Sequence, residues 1–311
     1  MKKKPYHEME LLEFQDAFPN DKACLEYIVS MRWPQSLTCT QCYSLKVHRR
    51  KSREVFECQS CGKQFSATAG TMFHKSRIPL RKWFWAIFLM ATSKKSVSML
   101  YLQKRLKISQ YRTIWLMGHK IRIAMMRREA LYGKLNGKVQ VDEVWIGGKR
   151  TRAKLNAEGQ NKTPFLFMVS TTDDGRPRYA RLEKLADVTD DQIVPAVERC
   201  VAPGSLLLTD GNVTYNQLRA KGYKIDSRTA FYDKEGTAKH LKWVNNTASN
   251  VKRFLLSTYH GVPPKYRKGY LAEFAYRLNR RFWVGEEFDR LLYACLLTGS
   301  AELEELPELN A

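Results

Sequence analysis

Two aspartates stand where the chain leaves a core strand. Residues 138–148 read KVQVDEVWIGG: Val139, Val141 and Val144 interleave with Gln140, Asp142 and Trp145, and a glycine pair follows. That is the pattern of a strand running into a turn. Residues 205–210 read SLLLTD, where Leu206, Leu207 and Leu208 run straight into Asp210. A carboxylate at the end of a core strand needs a partner or a metal. A third polar cluster, 244–250 (VNNTASN), follows one further structural unit along. Two carboxylates on strand ends plus a third oxygen ligand make a divalent-metal site for phosphoryl transfer. Magnesium takes hard oxygen donors and keeps several waters. A pair of ions about 4 Å apart activates a water and stabilises the leaving oxygen of a phosphodiester. Glu143 alternates onto the strand face opposite Asp142 and is given no ligand role.

A second metal site is written in thiolates. Cys39 and Cys42, then Cys58 and Cys61, follow the pattern C-x2-C-x15-C-x2-C, the spacing of a tetrahedral structural Zn²⁺ site. Gly62 suits the tight turn after the second pair. The hairpin between the pairs carries Lys46, His48, Arg49, Arg50, Lys51 and Arg53, a run read as contacting phosphate. The other three cysteines, Cys24, Cys200 and Cys295, fall singly in helical patterns. This is a reduced, cytoplasmic usage and not a disulfide framework.

The composition points to the same partner. The 311 residues include 53 Lys and Arg against 31 Asp and Glu, a formal charge of +22 with a pI near 9.7. Such an excess fits a polyanion, nucleic acid above all. Hydrophobic residues make up 44% and aromatic ones 12%, enough for two or three packed domains. The most apolar run, 83–91 (WFWAIFLMA), has nine residues, half a membrane span, and is read as core helix. No signal peptide is visible behind the MKKKPY start.

The elements that must position these residues follow in order. Two short helices are expected over 8–31, broken at Phe18-Pro19-Asn20-Asp21, and the zinc ribbon follows over 36–70. Helices over 79–91 and 96–107 lead to a third over 111–128, with Ser109 as a plausible N-cap. The last two form a helix-turn-helix candidate whose second helix is basic, with Arg112, Lys120 and Arg122. A strand over 139–146 is followed by a basic loop, 147–162, which holds Lys149 and Arg150. Strands over 165–171 and 178–182 pair across Asp173-Asp174-Gly175. A helix over 189–200 is capped by Thr189, a strand covers 205–209, a helix follows from Gly211, and a short strand over 223–225 closes the set. Three strands, a helix, then parallel strands with crossovers is the order of a ribonuclease-H-like domain. The fold class is therefore α/β: a mixed sheet flanked by helices, preceded by a zinc ribbon and a helical, helix-turn-helix-like segment. The divisions are 1–35 helical, 36–70 ribbon, 71–134 DNA-binding helices, 135–290 catalytic, and 291–311 a helix with an acidic tail.

With these motifs in place, the chain resembles bacterial insertion-sequence transposases of the DDE superfamily, in the subgroup with an N-terminal zinc ribbon. The resemblance rests on VDEVWIGG, TDGN, TYHGV (258–262) and EFAYRLNRRF (273–282). It implies two catalytic Mg²⁺ or Mn²⁺ ions and cut-and-join chemistry at terminal inverted repeats. It also implies double-stranded DNA as both element end and target, and a homodimer or higher oligomer on DNA, away from any membrane and close to the nucleoid. Carried over by motif, Asp142 and Asp210 bind metal. Asn245, 35 residues after Asp210, takes the third place, and Lys252 follows seven residues later. Most of the superfamily has Glu at that third place, and one branch has Asn. Asn246 with Arg253 has the same spacing as Asn245 with Lys252, and Glu273 is the reserve carboxylate, although an i,i+4 pair with Arg277 is its first reading. Arg253 is counted among the DNA-contacting residues. Two other functions compete: a DNA-binding regulator with a dead centre, and a metal-dependent nuclease that cuts without joining.

Overall fold

The computed structural model describes residues 11–50, 54–93, 95–147, 162–229 and 231–299. The chain divides into two compact units, residues 1–127 with 283–311, and residues 128–282. No helix among the described residues is long and apolar enough to cross a membrane.

The first unit opens with α1 (Leu11–Ala17) and α2 (Asp21–Arg32). The Phe18-Pro19-Asn20 break separates them, and Asn20 Oδ1 caps α2 by accepting from the Ala23 N–H at 3.0 Å. Strands β1 (Val47–Arg50), β2 (Val55–Cys58) and β3 (Gln64–Ser66) form an antiparallel sheet in that order. It is tied to α2 by Trp33, whose ring lies against Phe56 and Phe65. Helices α3 (Leu80–Thr92), α4 (Met99–Leu106) and α5 (Tyr111–Ala130) follow. The apolar run of α3 is buried, as expected: Phe84 and Phe88 join Phe14, Phe18 and Phe288 of the C-terminal helix Glu287–Leu297 in one aromatic cluster, with Phe14 stacked on Phe88 at 4.0 Å. Between α4 and α5 the chain turns at Lys107, in the left-handed region at φ 48°. The two helices meet closely at Gly118, where a Cβ would stand 2.2 Å from Met99 Sδ. Helix α5 begins at Tyr111, two residues beyond Ser109.

The second unit is built on β4 (Lys138–Gly147), β5 (Lys162–Thr171), β6 (Pro177–Lys184), β7 (Leu206–Thr209) and β8 (Lys224–Ser227). The sheet order is β6-β5-β4-β7-β8, antiparallel among the first three and parallel from β4 to β8. This is the ribonuclease-H-like arrangement, read from strand order alone. Helix α6 (Asp190–Cys200) and a 3₁₀ helix, Val213–Lys221, cover one face; a 3₁₀ helix stands where an α-helix was expected. Helices α7 (Lys234–His240), α8 (Lys242–Tyr259) and α9 (Arg267–Arg280) follow, and α8 and α9 cover the other face. Thr189 stands at the N-cap of α6, but its hydroxyl makes no capping bond to the backbone.

Strand β4 is enclosed on both faces, not on one. Val139 and Val141 pack with Leu207, Tyr215 and Leu218, while Val144 and Ile146 pack with Val244, Ala248 and Val251 of α8. The catalytic segment was expected to run to 290; the second unit instead ends at Phe282, because the helix that follows buries Phe288 among the aromatic residues of the first unit.

Candidate active site and cysteine cluster

The strand register explains why the two aspartates meet. β4 and β7 run parallel from Lys138↔Leu206 to Gln140↔Leu208. Continuing that register by two residues sets Asp142 level with Asp210, just where the paired stretch ends. The Asp210 turn is fixed locally: Asp210 Oδ1 accepts from the Asn212 N–H at 3.1 Å. Gly211 follows at φ 96°, where a Cβ would stand 2.4 Å from Thr229 Oγ1, so this turn admits only glycine without rearrangement.

A third carboxylate joins them. Oxygens of Asp142, Glu143 and Asp210 lie within 4.8 Å of one another. The alternation expected for Glu143 holds at the backbone, since its side chain goes to the Tyr215 face. Its carboxylate nevertheless reaches the same place, beyond Gln140↔Leu208 where the β4–β7 pairing ends. The Tyr215 hydroxyl donates to Glu143 Oε1 at 2.5 Å. Burial first, then the neighbouring Glu143 and Asp210 charges, push the Asp142 carboxyl up to about 7, while Lys252 draws it down. Burial also raises Glu143, against the lowering effect of the Tyr215 bond. Tyr215, fully buried beside these acids, is held well above the ordinary phenol range by that burial and by the Glu143 charge. Three converging carboxylates that repel one another are a hard oxygen donor set, and they fit a divalent cation such as Mg²⁺ or Mn²⁺.

Helix α8 brings the remaining candidates. It starts at Lys242, so Asn245 lies inside its first turn. The cap comes from the sheet. Gln140 Oε1, on the same β4 face as Asp142, accepts from the N–H groups of Trp243 at 2.7 Å and Val244 at 3.1 Å, two of the donors a helix start leaves open. Asn245 and Lys252, close to two turns apart, share one exposed flank. Lys252 lines a cavity with Ile146 and Gly147 at the end of β4. Asn246 and Arg253 lie on the opposite flank and line a different cavity. Glu273 is fully buried, accepts from the Tyr259 hydroxyl at 3.3 Å, and is not among the carboxylates gathered at Asp142.

The four ribbon thiols also meet, with all sulfurs within 4.8 Å, Cys39 and Cys61 at 3.7 Å and Cys42 and Cys58 at 3.5 Å. Tetrahedral zinc with Zn–S bonds of about 2.3 Å needs sulfur separations near 3.8 Å, so the quartet fits that ion. The two loops are built alike. The Gln41 and Ser60 N–H groups each donate to the preceding knuckle sulfur at 3.4 Å, and each loop ends in a positive-φ residue, Tyr43 in one and Gly62 in the other.

The expected phosphate-contacting residues divide. Arg112 and Arg253 are exposed, and Lys120 is half-buried. Arg122 is enclosed completely, at 0 % exposure, and offers no surface to a phosphate; helical spacing turned it inward with Ile121 and Met125. Arg49 and Arg50 are engaged by Glu54 and Glu57 across the ribbon hairpin. Lys51, Arg53, Lys149 and Arg150 lie outside the described residues. Sequence reasoning missed Gln140 and Glu143. A buried glutamine two residues before Asp142 on a β-strand was the available clue for the first.

Comparison with known proteins agrees with this geometry. Residues 134–279 match the ISXO2-like transposase domain, and residues 19–64 match the transposase zinc-ribbon domain. The two matches, over separate parts of the chain, mark it as an insertion-sequence transposase of the DDE type with a zinc ribbon, similar to the ISXO2-like group. The family-matching segment EFAYRLNRRF sits in α9 and its exit, where Asn279 and Arg280 both bond Glu129. A protein of Halobacterium salinarum, described as an uncharacterized protein in transposable element ISH50, is 23% identical over 282 residues, covering 84% of this chain and 91% of its own. The Mos1 strand transfer complex is similar at a TM-score of 0.29 and 11% identity, covering 70% of this chain and 78% of that one.

Proposed function

We propose that this ISXO2-like chain is a DNA transposase: it binds the terminal inverted repeats of its element, cuts a strand there, and joins the freed end to target DNA. The observation that carries this reading is the convergence of Asp142, Glu143 and Asp210 at the end of the β4–β7 pair in a chain of this family. The three carboxylates would hold the divalent cations, with the Asn245 amide adding an oxygen from α8. Divalent cations bound there activate a water and neutralise the leaving oxygen. The chain's part is positional. Asp142 and Asp210 fix where the scissile phosphate must sit, and Lys252, beside them on α8, contacts the neighbouring phosphate. Water attack at phosphorus breaks the P–O3′ bond and leaves a 3′-hydroxyl and a 5′-phosphate. That hydroxyl then attacks a target phosphodiester, forming a new P–O3′ bond and releasing another 3′-hydroxyl, so bonds and protons balance. The ribbon quartet holds one structural Zn²⁺, and the exposed basic residues of α5, with Lys252 of α8, hold the duplex. Two ends brought together imply at least two copies, working in the cytoplasm at the nucleoid.

Labelled DNA carrying the element ends, incubated with Mg²⁺ or Mn²⁺, tests the reading. Joined products are expected. Nicks without joining would identify a nuclease, and binding without cleavage a regulator.

A further inference from the structure

The second unit holds a cavity of about 330 Å³ that the cleavage chemistry does not use. It is bounded by β5, β6, α8 and α9, and its walls include Arg178, Arg253, Arg281, Trp243, Tyr179 and Asn246. Among the described lining residues none is acidic. Three arginines border a space without carboxylates, with Arg178 over the Tyr179 ring and Arg253 bonded to Asn250 Oδ1 through one nitrogen; the donors they keep suit an anion, and Arg takes phosphate through its planar fork. Two of the walls are held firmly. Arg281 donates to the carbonyl oxygens of Leu278 and Pro177, at 2.5 and 2.7 Å. Trp243 donates its indole N–H to Gly175 O at 2.6 Å, and its backbone N–H is taken by Gln140. Rings of Trp and Tyr beside guanidinium groups are what an unpaired base stacks on, and the Asn246 amide offers both a donor and an acceptor to a base edge.

The location gives the cavity a relation to the carboxylates. Lys252 and Arg253 are neighbours in sequence, yet the first faces the Asp142 side of α8 and the second faces the cavity. The two sites are thus separated by roughly one helix diameter, about 10 Å, or about three nucleotides at 3.4 Å each along a strand. We infer that this cavity receives one unpaired nucleotide of the DNA strand that lies across α8, its phosphate on the arginines and its base against Trp243 and Tyr179. The inference rests on the transposase reading for the identity of the strand, but the pocket's binding is separable from cleavage.

The test uses the full-length zinc-loaded protein and a fluorescein-labelled single-stranded 12-mer of thymidylate, with a 12-base-pair duplex as comparison. Arg253→Ala, at an exposed position, and Trp243→Ala should each weaken the single strand about tenfold, the loss expected for one stacked or clamped base. Duplex affinity should change less than about twofold. Trp243→Phe, which keeps a ring, should recover most of the loss. Because Trp243 also anchors α8, a second measurement guards against misfolding: the same oligonucleotide carrying 5-iododeoxyuridine, photocrosslinked to the wild-type protein, should attach at Trp243 or Tyr179. Crosslinks confined elsewhere, or equal losses for single strand and duplex, would overturn the inference. Crosslinking at Trp243 in a protein that fails to cleave element ends would sink the transposase reading and leave the pocket standing.

Discussion

At the scale of single residues the site is defined by charges that repel. Asp142 is held near 7 by burial and by two adjoining carboxylates. A carboxyl raised in the folded state stays protonated after its unfolded counterpart has ionised, so the metal-free protein should lose stability as pH rises from about 4 through 7. A divalent cation needs the ionised form. Mn²⁺ should therefore raise the melting temperature of the second unit, and more at pH 8 than at pH 6, as differential scanning calorimetry would register. Asp142→Asn and Asp210→Asn should each abolish that stabilisation and cleavage alike. Glu143→Gln separates the two accounts of the third ligand: if Glu143 binds metal, the Mn²⁺ shift shrinks, whereas if it only anchors Tyr215 the shift survives. Asn245→Glu should keep cleavage and lower the Mg²⁺ concentration required, since a carboxylate binds this ion more tightly than an amide, and Asn245→Ala should cost most of the activity. Cleavage by Asn245→Ala at the wild-type rate would remove Asn245 from the site.

At the scale of elements, the position of α8 is set by the strand that carries Asp142. Gln140 Oε1 holds two N–H groups of the first turn of α8, so one strand supplies both a carboxylate and the anchor for the helix bearing Asn245 and Lys252. Gln140→Leu leaves those donors unpaired and should cost about 2 kcal/mol in urea unfolding. It should also depress cleavage more than DNA binding. Gln140→Glu keeps the acceptor and should restore both. If Gln140→Leu cleaved normally, α8 would have to be held by its apolar face alone. The ribbon is an element held by its thiolates: Cys58→Ser should reduce zinc from about one per chain to near zero, with loss of ordered ribbon signals in the NMR spectrum and weaker binding of element ends. Much of this level was legible in the sequence. The cysteine spacing, the apolar run of α3, and Asp210 at the exit of β7 follow from patterns local in the chain, whereas Asp142, expected at a strand end, lies midway along β4 and is level with Asp210 only because the β4–β7 pairing stops there. What stayed hidden depends on tertiary pairing. The approach of Glu143 depends on where the β4–β7 pairing ends, and a capping acceptor supplied by a side chain 103 residues away holds the start of α8. Arg122 illustrates the reverse error, for a basic residue in a basic helix was read as surface and lies at 0 % exposure.

At the scale of the whole molecule, a formal charge of +22 dominates encounters with DNA. Affinity for element ends should fall linearly on a log–log plot against salt concentration, with a slope of about −0.9 for each phosphate neutralised. Removing Arg112 should flatten that slope by about one unit, while Arg122→Ala should lower stability and leave the slope as it is. A slope unchanged by Arg112→Ala would take α5 out of the DNA-contacting surface. The sheet itself has one further property. Asn279 pairs with the edge strand β6 as a strand would: its Oδ1 accepts from the Ala180 N–H at 2.8 Å and its Nδ2 donates to Ala180 O at 2.9 Å. Arg281 takes Pro177 O on the same edge, and Pro177 brings no N–H of its own. The open rim of the sheet at this end is thereby closed to strand addition. Extension of the sheet by a further strand along this part of β6 would first have to displace Asn279 and Arg281. Asn279→Leu would reopen the rim and should raise the tendency to aggregate, as light scattering would register.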